Sequence, residues 1–297
     1  MKPPTTITAI PLSKSFGKNK RGARAIALWR NGCVILFAMT DFRNKIILIT
    51  GGSGGLGREL AEAFAAQGGR VVITARDSMK LTATAEPMVR NGAQVLALPC
   101  DIRRRDQVRS LGKEIATRLG TVQILVNNAG VARAVNFTDM TDDLWDETLE
   151  TNLTGAYNCC KVFLPAMVQA KWGRIINIAS TTAKVGNSHV TAYSASKHGL
   201  LGFTRSLALE TARLGVTVNA ICPGYVDDER TRENAKIMAE KTGKSVGDIL
   251  KLFAASAPQN RLIAPDEVAS LALLMASERL SGMTGQAINV DGGAVMV

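Results

Sequence analysis

Short apolar runs alternate with longer amphipathic stretches along residues 45–290. The apolar runs are rich in Val and Ile and too short for buried helices, so each is predicted to be a strand; they lie at 45–50, 70–75, 94–99, 122–127, 174–179, 216–221 and 286–290. The intervening stretches at 56–67, 78–90, 106–119, 141–170 and 191–213 are predicted helices. Strands without polar alternation, separated by helices, predict an α/β fold: a doubly wound parallel sheet covered on both faces.

Residues 226–262 depart from this pattern because they are polar and charged, with an apolar "ILKLF" run (249–253) near their end. We expect this segment to be a partly helical, mobile lid that becomes ordered mainly when ligands bind. No linker or internal repeat interrupts residues 41–297, so they are predicted to form a single domain.

The formal net charge of +11 is concentrated in residues 1–40, which contain seven Lys and Arg residues and no acid. The other 29 basic residues are matched by 25 acidic ones, which argues against a nucleic-acid-binding surface on the body. We expect residues 1–40 to be a basic N-terminal extension that is disordered or outside the core. A transit peptide, an arm for anionic surfaces, and sequence upstream of a true start at Met39 all fit this composition.

Cysteine and histidine usage limits the chemistry further. The five cysteines show no CxxC spacing and are typical of reduced thiols in a reducing compartment. Two histidines leave little material for a metal site or a Ser-His-Asp triad, so no metal is expected. No apolar run approaches the roughly 18–20 residues of a membrane span, so we expect a cytoplasmic protein without one; the basic extension leaves organelle import open.

The first strand runs directly into "TGGSGGLG" (50–57), which precedes a predicted helix. Glycines in this position allow backbone N–H groups and a helix N-terminus to approach a pyrophosphate. Three further segments follow strands: "PCDI" (99–102), "NNAG" (127–130) and "CPGYV" (222–226). Since the carboxyl ends of parallel strands meet at one edge, these segments predict a dinucleotide site there.

The stretch "TAYSASKHGL" (191–200) places Tyr193 four residues before Lys197, on one face of a helix and one turn apart. By itself this spacing is also typical of an ordinary surface helix. Taken together and in order, "TGGSGGLG", "NNAG", "TNLTG", "NIAS", "YSASK" and "PGYV" resemble the short-chain dehydrogenase/reductase family over residues 41–297.

The resemblance implies a single Rossmann-like domain with a seven-stranded parallel sheet and an NAD(P)-dependent oxidoreductase activity. It also implies a homotetramer or homodimer, with contacts through helices 141–170 and 191–213. The overall pattern is most similar to 3-oxoacyl-thioester (acyl-carrier-protein) reductases.

The resemblance assigns a catalytic tetrad. Tyr193 would be the general acid in ketone reduction, and Lys197 would lower the pKa of that phenol by about two units and hold the nicotinamide ribose. Ser180 would bind the substrate oxygen, and Asn152 would hold a water that relays protons to Lys197. The expected cofactor-binding residues are Gly51, Ser53, Gly55, Leu56, Gly57, Arg76, Asp101, Ile102, Asn128, Ala129, Gly130, Tyr193, Lys197, Pro223, Gly224 and Val226.

Two positions refine the cofactor assignment. The second strand ends at Ala75 and Arg76, where an NAD-specific enzyme usually places an acid, so NADP is favoured and NAD remains possible. The family often has a Thr two residues after the Val of "PGYV", and this chain has Asp228. A carboxylate would repel the diphosphate, so no binding role is assigned to Asp228.

The reaction predicted from these residues is the interconversion of a ketone and a secondary alcohol, on a small molecule that is free or linked to CoA or a carrier protein. A small-alcohol or sugar dehydrogenase of the same family is an alternative. A catalytically silent nucleotide-sensing regulator is an alternative from another class. A 3-hydroxybutyrate dehydrogenase is disfavoured because Thr182 and Val190 stand where that subgroup usually has a carboxylate-binding His and Lys. Arg133 and Lys184 are candidates for attracting an acidic substrate.

Overall fold

The computed structural model describes residues 25–30, 33–38 and 41–297. The chain divides into two compact units, residues 1–41 and 42–297. In the first unit, β1 (Ala25–Arg30) and β2 (Cys33–Ala38) pair as a two-stranded antiparallel sheet that the sequence pattern did not predict. The rest of the expected N-terminal extension lies outside the described residues, so its disorder remains a prediction.

The second unit is built on a seven-stranded, all-parallel sheet, which confirms the predicted fold class. Its strands are β3 (Ile46–Thr50), β4 (Arg70–Thr74), β5 (Val95–Ala97), β6 (Ile124–Asn127), β7 (Gly173–Ile178), β8 (Val216–Pro223) and β9 (Ala287–Val290). They run in the order β5-β4-β3-β6-β7-β8-β9. The order reverses between β3 and β6, and such a reversal opens a crevice at the carboxyl edge of the sheet.

Helices connect the strands and cover the sheet. They are α1 (Gly55–Ala66), α2 (Ser78–Arg90), α3 (Arg105–Arg118), α4 (Asp142–Leu149), α5 (Gly155–Gln169), α6 (Thr191–Thr211), α7 (Glu229–Thr242), α8 (Val246–Ala255) and α9 (Pro265–Ala276). The single helix predicted over 141–170 is divided by a π-helical turn at Glu150–Thr154, and α9 was not predicted. Within the described part of the chain, none of the helices combines the length and apolar character needed to cross a membrane.

Both faces of the sheet are buried. Alternate strand residues contribute to opposite cores: Ile47 and Ile49 pack with Phe64 of α1 on one side, and Leu48 packs with Met167 of α5 on the other. All five side chains are completely buried. Burying each one contributes about 1.5–3 kcal/mol, which explains why the strands read as continuous apolar runs.

A chain of buried polar side chains crosses the sheet on one side. The Asn127 Nδ2 of β6 donates to Asn177 Oδ1 of β7 at 2.8 Å, and Asn177 Nδ2 donates to Thr204 Oγ1 of α6 at 2.8 Å. The Thr204 hydroxyl in turn donates to the carbonyl of Leu200 at 2.7 Å. This ladder joins α6 to two central strands by directional bonds as well as by packing.

The segment expected to be a lid consists of α7 and α8. These helices pack against each other through Ala235, Ala239 and Ile249, which form a small core of their own. Asp228 caps α7 by accepting the N–H of Thr231 at 2.9 Å, which explains why the helix begins at Glu229. The mobility of this lid (226–262) remains a prediction.

Candidate active site

A cavity of about 610 Å³ lies at the carboxyl edge of the sheet, where the strand order reverses. Nine of the predicted cofactor-binding residues line it: Gly51, Ser53, Gly55, Leu56, Arg76, Asp101, Ile102, Ala129 and Gly130. Three of the four strand-end segments, at 50–57, 99–102 and 127–130, therefore converge on one site, as their positions in the sequence predicted.

The glycine-rich turn at 51–57 forms the floor of the cavity beside the N-terminus of α1. A Cβ on Gly57 would lie 2.1 Å from the carbonyl oxygen of Gly51, so only glycine lets α1 pack this closely on the turn. The first N–H groups of α1 consequently face the cavity, and Gly55 donates its N–H to a carboxylate oxygen of Glu229. The Glu229 carboxylate is an anion bound at the N-terminus of α1. The residues here therefore fit the diphosphate of a dinucleotide.

Thr50 and Asn128 fasten the ends of β3 and β6 together. The Thr50 hydroxyl accepts the N–H groups of Asn128 and Ala129, each at 3.0 Å. The Asn128 side-chain amide donates to the carbonyls of Thr50 at 2.9 Å and Gly51 at 3.2 Å. Asn128 is buried and does not line the cavity, so it positions the glycine turn.

The end of the cavity beside β4 and β5, where the sequence predicts the adenosine to bind (the adenosine end), is more basic than predicted. Arg76 lines it, half-exposed, with Nη1 3.6 Å from the carboxylate of Glu147. Arg103, which no pattern in the sequence singled out, binds both carboxylate oxygens of Asp101, with Nη2 to Oδ2 at 2.6 Å. This hydrogen bonding lowers the pKa of Asp101. The Asp101 carboxylate is thus engaged by Arg103, and its predicted adenine contact stays a prediction.

The "PGYV" segment is placed differently from its predicted cofactor role. Gly224 donates its N–H to Val290 at 3.0 Å, and Val226 is buried and bridged to Ile263. Neither residue lines the cavity, nor does Pro223. The next residues along the chain, Asp228, Glu229 and Arg230, do line it.

Asn152 lies in the π-helical turn between α4 and α5 and is 1% exposed. Its Oδ1 accepts the N–H of Val131 at 2.8 Å, and its Nδ2 donates to Val131 O and Ser196 Oγ, each at 2.9 Å. The extra residue of a π-turn aims this side chain inward, and such turns occur frequently at functional sites. Asn152 therefore joins the loop after β6 to the start of α6.

Tyr193, Lys197 and Ser180 come together where β7 ends and α6 begins. Lys197 is 2% exposed; its Nζ donates to Ile178 O at 2.7 Å and lies 5.7 Å from the centre of the Tyr193 ring. Tyr193 is half-buried, and the neighbouring Ser180 side chain partly offsets the effect of burial on the pKa of its phenol. The structure thus brings these three residues together beside the cavity, where a Cβ on the lining residue Gly130 would lie 3.6 Å from Lys197 Nζ, although none of the three lines the cavity itself.

Burial dominates the electrostatics of this group. Burial raises the pKa of the Tyr193 phenol, and the strongest opposing effect is the positive charge of Arg230. Burial also lowers the pKa of Lys197 to about 7, helped by Arg230. Lys197 is therefore only partly charged at neutral pH. This differs from the expectation that Lys197 lowers the pKa of Tyr193, and nothing in the sequence distinguished Arg230.

Lys184, a candidate for attracting an acidic substrate, has two of its three N–H donors engaged by the chain itself. Its Nζ donates to the carbonyls of Ala287 at 2.8 Å and Val297 at 2.7 Å. Among the residues that the structure describes, no group of three His, Cys, Asp or Glu side chains is arranged to hold a metal.

The profile of the family described as short chain dehydrogenase matches residues 45–239. The 3-oxoacyl-acyl-carrier-protein reductase of Escherichia coli is 35% identical over 257 residues, which cover 86% of this chain and 100% of that protein. The D-β-hydroxybutyrate dehydrogenase of Cupriavidus necator is 34% identical over 252 residues, 84% of this chain and 98% of the other.

A crystal structure of a variant actinorhodin polyketide ketoreductase with NADPH superposes with a TM-score of 0.82 at 36% identity, covering 84% of this chain and 97% of that one. The sequence relatives and this structure confirm the resemblance and the oxidoreductase class predicted from the motifs. This chain belongs to the short-chain dehydrogenase family.

Proposed function

We propose that this protein is an NADPH-dependent ketoreductase that reduces the ketone of a 3-oxoacyl thioester or a related polyketide-type substrate. The observation that carries the proposal is the convergence of Ser180, Tyr193 and Lys197 beside a cavity built for a dinucleotide. Relatives named as ketoreductases and 3-oxoacyl reductases support the substrate class.

Tyr193 is the proton donor in this proposal. When bound, NADPH supplies the hydride, and charge then develops on the former carbonyl oxygen. The Ser180 hydroxyl holds that oxygen, and the Tyr193 phenol, kept protonated by its raised pKa, gives it a proton. Burial therefore favours the reductive direction, in which Tyr193 begins protonated.

Lys197 and Asn152 support return of the proton to Tyr193. A Cβ on Gly130 would lie 3.1 Å from Asn152 Oδ1 and 3.6 Å from Lys197 Nζ, so both groups border the same backbone position. A pKa of about 7 lets Lys197 gain and lose a proton near neutral pH. We therefore retain the relay through Asn152 and Lys197 as part of the proposal.

The preference for NADPH is supported by positive charge at the adenosine end of the cavity. Arg76, Lys80 and Arg103 line this end, and Ala75 stands where an acid would bind the ribose of NAD. Asp77, the acid next to Arg76, accepts the N–H of Lys80 at 3.0 Å as the cap of α2. A guanidinium near this position suits a 2′-phosphate.

We further propose a homotetramer or homodimer in the cytoplasm. Apolar side chains on α5 and α6 support the assembly, since Tyr157 is 42% exposed and Leu209 is 83% exposed. Four buried, free cysteines (Cys100, Cys159, Cys160 and Cys222) fit a reducing compartment.

Replacement of Tyr193 by Phe should reduce kcat about 10²–10⁴-fold, because the variant lacks the acid that protonates the carbonyl oxygen. NADPH affinity, measured by fluorescence titration, should change little. Tyr157→Phe on α5 is the matched control and should keep wild-type kcat. Retention of more than about a tenth of the activity by Tyr193→Phe would show that another group is the acid.

Lys197→Met should change how stability depends on pH. The pKa of Lys197 is about 7 in the folded protein and about 10.4 in an unfolded chain, so the unfolded state binds more protons between these values. The free energy of unfolding of the wild type, relative to Lys197→Met, should rise by about 2–4 kcal/mol from pH 7 to pH 10. Urea titrations across this range measure the difference. The exposed control Lys161→Met should show no such trend, and a flat difference for Lys197→Met would contradict the assignment.

The double variant Ala75→Asp/Arg76→Leu should shift preference from NADPH toward NADH, because it adds an acceptor for the ribose hydroxyls and removes the phosphate-binding charge. The measurement is kcat/KM with each cofactor. Arg104→Leu, which removes a neighbouring charge that does not line the cavity, is the control. A wild type that prefers NADH would refute the cofactor assignment.

A substrate panel tests the proposed reaction directly. Simple ketones, 3-oxoacyl thioesters, small alcohols and 3-hydroxybutyrate are assayed by nicotinamide absorbance, and the highest kcat/KM is expected with a 3-oxoacyl thioester. Highest activity on a small alcohol or 3-hydroxybutyrate would favour a dehydrogenase instead. Nucleotide binding without turnover of any compound would favour the regulatory alternative.

A further inference from the structure

Two carboxylates of the lid lie against the glycine-rich turn. Glu229 accepts the N–H of Gly55, the first residue of α1, and its other carboxylate oxygen lies 3.6 Å from Arg58 Nη2. A Cβ on Gly55 would lie 2.9 Å from Asp228 Oδ2, so the second carboxylate stands over the same residue. Both acids line the cavity together with Gly51 and Ser53.

The start of α1 has no anionic partner of its own. Its N-cap is Gly54, which offers no side-chain cap, and its first turn contains no acid. A helix N-terminus carries partial positive charge and unpaired N–H groups, so it attracts an anion. Glu229 fills this role from 174 positions along the chain.

The arrangement reproduces the contacts that a bound diphosphate would make. A backbone N–H and a guanidinium are the groups that bind phosphate oxygens, and here they hold carboxylate oxygens. Asp228 and Glu229 together carry two negative charges, the same number as the diphosphate of a dinucleotide. Both sets of anions cannot share this space because like charges at contact distance repel strongly.

We propose that Asp228 and Glu229 occupy the diphosphate position as an internal competitor, which sets cofactor affinity and must be displaced when cofactor binds. This inference rests on the nicotinamide cofactor of the proposed function. It identifies Glu229 as an affinity-determining residue that acts against binding rather than for it.

Displacement of the two acids has different structural costs. The Glu229 side chain is 63% exposed, so rotation about its own bonds moves it into solvent. Asp228 is held as the cap of α7 by the N–H of Thr231, so its displacement breaks this cap bond or shifts the first turn of α7. The Asp227 N–H is bonded to Ile263 O at 2.8 Å, which anchors the chain just before this turn. Cofactor entry therefore disturbs the start of the lid from residue 228 onward, through loss of the α7 cap or a shift of its first turn.

Glu229→Ala tests the proposal in the full-length protein. The dissociation constant of NADPH, measured by calorimetry, should fall about tenfold, the effect of removing one competing charge-assisted hydrogen bond. Glu229→Gln should give a smaller decrease because it keeps an acceptor and loses the charge. Glu233→Ala, one turn further along α7 and paired with Lys236, is the matched control and should leave the constant unchanged.

Hydrogen exchange of the free protein supplies a readout that needs no cofactor. In Glu229→Ala, amides at the start of α1 and in the first turn of α7 should exchange faster than in the wild type, and those in Glu233→Ala should not change at α1. Unchanged exchange at α1 would overturn the contact.

The calorimetric measurement of NADPH binding distinguishes the remaining outcomes. Equal or weaker NADPH binding by Glu229→Ala, with a wild type that binds, would overturn the competition while leaving the proposed function intact. Failure of the wild type and both Glu229 variants to bind NADPH or NADH would overturn the proposed function and the competition together. Faster exchange with tighter binding supports the inference.

Discussion

The carboxyl ends of β3 and β6 are held together by the Thr50 hydroxyl and the Asn128 side chain, and the geometry of the site depends on this junction. The two strands lie where the strand order reverses, so their helices leave toward opposite faces. Without the bonds between them, the glycine turn and the loop after β6 would be independent. Because Thr50 and Asn128 are buried, these bonds are protected from competition by water.

The protonation of Tyr193 and Lys197 is controlled by burial and by the lid. The same low-polarity surroundings raise the pKa of Tyr193 and lower the pKa of Lys197, so both groups favour their neutral forms. The positive charge of Arg230 opposes the first shift and adds to the second. Since Arg230 belongs to α7, the position of the lid influences the protonation of groups that lie on α6.

The structure agrees with the sequence-based predictions where a local pattern determines it. The apolar strands, the glycine turn and the Tyr193–Lys197 spacing each follow from short-range rules, and the motif order identified the family. The π-turn around Asn152 was missed because 141–170 has continuous helical periodicity. Contacts such as Asp101 with Arg103 depend on side-chain placement, and those of Glu229 with Gly55 join distant segments. Neither kind of contact leaves a periodic signal in the sequence.

The polar ladder from Asn127 through Asn177 to Thr204 has a consequence for alignment. Apolar surfaces can slide over one another at small cost, whereas hydrogen bonds of 2.8 Å permit one register only. Thr204 lies on the same helix as Tyr193. The ladder therefore fixes the position of that helix, and with it the position of the Tyr193 phenol, relative to the strand ends. A displacement of 1 Å can cost a reaction about a hundredfold in rate. Hydrogen bonds in the interior of the sheet thereby determine how accurately the catalytic side chains at its edge are positioned.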